Sequence, residues 1–216
     1  MKNRLSKKML LLAFIFFKAS TVHADHDASF RLDLNGLYTL HPRWQVLSYV
    51  FIQADHNMSD LDYLEWAAGL NYQTSCPWIS FLLSYQQGFT KIVSDHWALE
   101  QRPSINMNAT TTLLRFKISN QIRYEHRFRP GWNDFRIKNT LSFSRPDIGL
   151  QPHVGWELYY ENGDKALMLS RVKFGISENV TRNIAMGPYV RVDFSNAEGR
   201  WTWTRGLFGF QVTLKY

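Results

Sequence analysis

The sequence predicts an all-β chain: a transmembrane antiparallel β-barrel of 10 to 12 strands, preceded by a cleaved signal peptide. Three observations carry the prediction. The amino-terminal segment is basic and then apolar, nearly all of the remaining chain alternates with period two, and the last segment alternates up to a terminal aromatic.

Met1 to Lys8 carries Lys2, Arg4, Lys7 and Lys8 and leads into the apolar run from Met9 to Phe17, the n-region and h-region of an export signal. Lys18 ends the run, and Val22, His23 and Ala24 put small residues where a signal peptidase reads them. The mature chain then starts near Asp25, giving a leader over 1–24 and a barrel over 25–216. The run is too short to span a bilayer as a helix, which takes about 20 residues. The expected location is the outer membrane of a Gram-negative bacterium, reached by the Sec pathway.

Removing the leader takes away five of the 25 Lys and Arg and none of the 18 Asp and Glu, so the net charge falls from +7 to +2. The basicity belongs mostly to the export signal, and a nucleic-acid partner loses its main support. Cys76 is the only cysteine, so it has no partner for an intramolecular disulfide, and it lies too far from the cleavage site to carry a lipid anchor. No stretch after Phe17 approaches 18 consecutive apolar residues, so a membrane-embedded mature chain would span as strands.

The longest alternation runs from Leu114 to Arg129: Leu114, Phe116, Ile118, Ile122, Tyr124 and Phe128 interleave with charged and polar residues. Similar patterns occur in Phe30/Leu32/Leu34, Leu64/Trp66/Ala68/Leu70, Phe135/Ile137/Leu141, Val154/Trp156/Leu158, Val172/Phe174/Ile176 and Val190/Val192/Phe194, with weaker runs at 43–54, 78–87 and 94–106. Breakers separate them, among them His41–Arg43, Asp55–Asp60, Ser75–Pro77, Asn106–Ala109, Arg129–Gly131, Pro146–Pro152 and Glu161–Asp164. The segments number eleven, yet bacterial single-chain barrels carry an even number of strands. The expectation is therefore ten or twelve, with twelve preferred. A secreted sandwich also alternates. The 8 Trp and 10 Tyr, many near segment ends, and the heavy charge on the opposite faces favour a barrel with aromatic girdles.

In the last segment Phe208, Phe210, Val212, Leu214 and Tyr216 share one face, and Gly209, Gln211, Thr213 and Lys215 the other. The stretch Gly209–Tyr216 resembles the insertion signal of outer-membrane barrels, carried here by Gly209, Phe210, Val212, Leu214 and Tyr216. That likeness implies the barrel-assembly machinery and outer-membrane lipid as partners. Leu99-Glu-Gln-Arg-Pro103 and Ile118-Ser-Asn-Gln-Ile-Arg-Tyr-Glu-His-Arg-Phe128 resemble two signatures of the outer-membrane barrel family DUF2490, a domain of unknown function. Gln101 stands where a histidine is more usual. The resemblance implies a barrel without implying a reaction.

With the apolar residues turned to lipid, the lumen receives a basic track of Arg115, Lys117, Arg123, Arg127, Arg129, Arg136, Lys138, Arg171, Lys173 and Arg191. It also receives acidic partners at Glu65, Glu100, Glu125, Glu157, Glu161 and Asp193. One expectation is a largely packed lumen in which these charges pair, because an unpaired buried charge costs several kcal/mol. The alternative is a small porin passing anionic solutes along the track, as Arg-lined sugar-acid porins do. A third reading, a rim-located lipid-modifying enzyme, lacks the His-x-Ser and His-x-Ser-Asn-Gly patterns expected of barrel deacylases and phospholipases. No catalytic residue, metal site or cofactor is predicted; His41, His56, His96, His126 and His153 are scattered.

Overall fold

A computed structural model describes residues 28–55, 60–93, 96–147, 149–162, 166–197 and 199–216. The expected leader and its cleavage site lie outside them. The described residues form eleven strands: β1 (Ala28–His41), β2 (Trp44–Asp55), β3 (Asp60–Gln73), β4 (Ile79–Val93), β5 (His96–Leu113), β6 (Phe116–Arg129), β7 (Trp132–Ser144), β8 (Leu150–Glu161), β9 (Ala166–Asn179), β10 (Ile184–Ala197) and β11 (Arg200–Lys215). Each pairs antiparallel with the next, and β1 closes on β11.

The closure corrects the expected strand number. An even count is required only if every pair is antiparallel, and here β1 and β11 run parallel, in register from Ala28↔Gly206 to Leu37↔Lys215. Tyr216 finishes the seam, its amide donating to the Leu37 carbonyl (2.8 Å) and its carbonyl accepting from the Thr39 amide (2.9 Å). Ala28 and Tyr216 consequently lie at opposite mouths. Asn35 and Thr213 face each other across this seam. Neighbouring strands about 4.8 Å apart suit a disulfide. An Asn35→Cys/Thr213→Cys variant is expected to cross-link on mild oxidation, read as a gel shift reversed by reductant; no cross-link would argue against an eleven-strand wall.

A second correction concerns Asn106–Ala109, expected as a break. It lies inside β5 because Asn106 and Asn108 face a lumen that satisfies their amides: Asn106 donates to the Leu82 carbonyl (3.1 Å) and Asn108 accepts from Gln121 (2.7 Å). The chain turns at Leu114 and Arg115, both left-handed (φ 49° and 73°). Such a two-residue turn usually takes Asn-Gly, because left-handed backbone is unfavourable for bulky residues.

The proline of the first signature interrupts the ladder. Pro103 still pairs with Tyr85 on β4, but the β5–β6 pairing lapses between Gln101↔Phe128 and Ser104↔Glu125, with the register the same on either side. Pro188 coincides with a similar gap between β9 and β10. Proline has no N–H to give to the second neighbour.

Alternation assigns the faces. Leu34, Leu83, Ile105, Ile122, Ile137 and Phe174 project outward and are exposed. Exposed Tyr38, Trp44, Trp78 and Tyr216 lie near one mouth, and Trp97, Trp201 and Trp203 near the other. Inside, the two halves differ. Apart from Lys117 and Lys215 at its rim, the half near Tyr216 has small or uncharged inward positions, including Ser80, Asn108, Ser119, Thr140, Ser142, Gly155 and Ser177, whereas the half near Ala28 carries most of the charge. Eleven tilted strands give a backbone radius of about 11 Å.

Candidate functional site

The charged half of the lumen surrounds a cavity of about 480 Å³. It is lined by eleven cationic side chains and six carboxylates. Three more carboxylates, Asp55, Glu161 and Asp193, bond to these cations from just outside the lining, which leaves a cationic excess of two.

The network starts from the two signature segments, adjacent strands β5 and β6. Glu100 of the first accepts from Arg127 (2.6 Å) and Arg129 (2.6 Å) of β6. Arg102 bonds Glu65 on β3, reaching over β4; Glu65 also accepts from Tyr49 (2.8 Å) and Tyr63. The reach is possible because Gly88 lies between: a Cβ there would stand 3.0 Å from both the Arg102 guanidinium and the Tyr63 hydroxyl. Glu125, only 1% exposed, binds Arg136, and Arg127 donates to Glu161 (2.8 Å).

The belt continues around the wall. Lys138 donates to Glu157 (3.1 Å), which also accepts from Tyr159 (2.5 Å), and Tyr159 accepts in turn from Arg171 (2.8 Å). Arg191 grips Asp193 with two nitrogens (2.8 and 3.0 Å). Arg31 donates to Asp33 (2.6 Å) and lies 3.8 Å over the Phe51 ring, while Lys173 lies 3.6 Å over Tyr189. Two rings cover glycines on adjacent strands, His153 over Gly175 and Tyr189 over Gly209, where added Cβ atoms would collide with the rings.

Of the expected basic track, Arg123, Arg127, Arg129, Arg136, Lys138, Arg171, Lys173 and Arg191 line the cavity. Arg115 does not: it occupies the left-handed turn, exposed, because β5 runs on to Leu113. Lys117 is exposed near the same mouth, away from the cavity. Glu65, Glu100, Glu125 and Glu157 line it, and Asp193 is buried against Arg191 and Arg171. In the last strand Gly209 faces inward under Tyr189, while Phe210, Val212, Leu214 and Tyr216 alternate on the other side.

The sequence reading missed Arg31, Asp33, Arg102 and Arg205, together with the lumenal rings Tyr49, Phe51, Tyr63, Tyr159 and Tyr189. Arg31 and Asp33 stood between Phe30, Leu32 and Leu34 and could have been read from that alternation. The rings could not, since aromatic content had been assigned to the outer girdles. His126 sits on the outer wall, its ring 4.4 Å from that of Phe128. No group of three or more His, Cys, Asp or Glu among the described residues is placed to hold a metal ion.

The family model "Protein of unknown function (DUF2490)" matches residues 31–204, from the first lumenal arginine to the start of β11. The chain belongs to the DUF2490 family. A search of curated proteins found no match to it. In this DUF2490 barrel the two signature segments supply the centre of the charged belt, Glu100 and Arg102 from one and Arg123, Glu125 and Arg127 from the other.

Proposed function

We propose that this DUF2490 barrel resides in the outer membrane of a Gram-negative bacterium, after Sec export and removal of residues 1–24, and that its lumen passes small anionic solutes. The observation that carries the reading is the cationic excess around a cavity in one half of a closed barrel whose other half is lined by small uncharged side chains. Arginine and lysine rings at a constriction lower the barrier for anions and raise it for cations. The exposed apolar wall, with aromatics near both mouths, supports lipid as its surroundings and the barrel-assembly machinery as the agent of insertion.

The test is single-channel recording of the purified protein in planar bilayers under a salt gradient. Stable anion-selective steps are expected. Replacing Arg123 and Arg127 together by glutamine should move the permeability ratio toward unity while the barrel stays folded; unchanged selectivity would refute the track. One observation favours a second reading, a packed barrel without passage: ten of the eleven lining cations already touch carboxylates. A folded protein that never conducts would decide for it.

A further inference from the structure

Among the described residues, Arg123 is the one lining cation with no carboxylate within ion-pair distance; its bonded partner is the neutral Asn106, whose side-chain oxygen accepts from Nε at 2.5 Å. Asn106 is fully buried and is itself anchored, its Nδ2 donating to the Leu82 carbonyl at 3.1 Å. The guanidinium is thus held by its Nε edge, and the edge formed by its two Nη groups has no protein hydrogen bond among the described residues. Directly opposite across β6 and β7 stands a second inward cation, Lys138, tied to Glu157 at 3.1 Å.

We infer that Arg123, held by Asn106 and flanked by Lys138, forms a single-anion site that takes the carboxylate of a small organic monoacid. The inference rests on the lumen being the working compartment, as proposed above. A carboxylate matches the two-nitrogen edge of a guanidinium in plane and spacing. Arg123 alone can neutralise one negative charge here, whereas a divalent oxyanion would need its neighbour Lys138 released from Glu157. Every other lining cation already has its charge offset by a carboxylate, so a second anion there would meet a like charge. The cavity falls within the roughly 300–1,000 Å³ typical of small-molecule sites. Its aromatic members, Tyr49, Phe51 and Tyr159, provide surfaces for the body of an acid of sugar-acid size.

Calorimetry on the purified protein in detergent micelles tests this, with sodium gluconate as the probe and sodium sulfate as the competitor class. Gluconate is expected to bind one to one. Affinity should fall about tenfold or more in Arg123→Gln, and by less in Arg123→Lys, which keeps the charge and loses the fork. Arg145→Gln, which alters an exposed turn pair with Asp147, is the control and should bind as the unsubstituted chain does. Absence of gluconate binding, equal affinity in Arg123→Gln, or tighter binding of sulfate would each overturn the site. Since binding is read without a membrane potential, a barrel that binds gluconate and never conducts removes the pore reading and leaves the site. One that conducts anions and binds no gluconate does the reverse.

Discussion

Glu125→Lys is expected to prevent the barrel from reaching its folded form. Glu125 is 1% exposed and bonds Arg136, with Arg102 and Arg123 close enough to act on its charge. Removing one member of a buried ion pair costs about 3–5 kcal/mol, because the other is left as an uncompensated charge. Lysine at this position adds a fourth positive charge to three, so the loss should exceed that range. Glu125→Gln, isosteric and neutral, separates the terms and should lose about 3–5 kcal/mol while still folding. Urea unfolding followed by tryptophan fluorescence, with gel mobility of unheated samples as the measure of folded barrel, reads both. Normal unfolding resistance in Glu125→Lys would mean that the belt does not hold the barrel together.

The second large effect is expected from one methyl group. Gly187 sits on β10 beside Pro188, where the ladder to β9 lapses, and a Cβ there would run into the Ile176 carbonyl. Backbone cannot rotate away as the end of a flexible side chain can, so Gly187→Ala should destabilise by about 3 kcal/mol, the upper end of ordinary overpacking. Gly155→Ala is the contrast: its nearest neighbour would be the Lys173 Cβ at 3.9 Å, an ordinary contact. There the lower chain entropy of alanine should leave stability unchanged or raised by about 0.5–1 kcal/mol. Equal midpoints for the two variants would show that β9 can shift to accommodate the methyl group.

The architecture was legible because a barrel wall has two chemically different faces, and the period-two alternation between them survives in one dimension. Eleven segments were visible, and each of the eleven strands overlaps one of them. What misled was the parity rule, because a parallel seam depends on how the ends meet and leaves no local trace in β1 or β11. The turn at Leu114–Arg115 was hidden for a different reason: neither residue carries turn chemistry, and Asn106–Ala109 carries it without turning. At the site, most of the lumenal cations and carboxylates could be read from alternation, whereas which of them pair could not. Arg102 meets Glu65 across an intervening strand, through space left by Gly88, and such a pairing is set by register and by one missing side chain. The distinct position of Arg123 was equally hidden, since it emerges only after every other cation lining the cavity has found its carboxylate.

The parallel seam also bears on how such a chain could be put into a membrane. A barrel made wholly of hairpins can be inserted with both ends staying in the compartment from which it came. Here Ala28 lies at one mouth and Tyr216 at the other. In the membrane setting proposed above, assembly is then not complete when the last hairpin closes, because the amino-terminal strand must be carried across and laid beside β11 with its start on the far side. A tag preceding Ala28 and a tag following Tyr216 would report opposite faces of the same membrane.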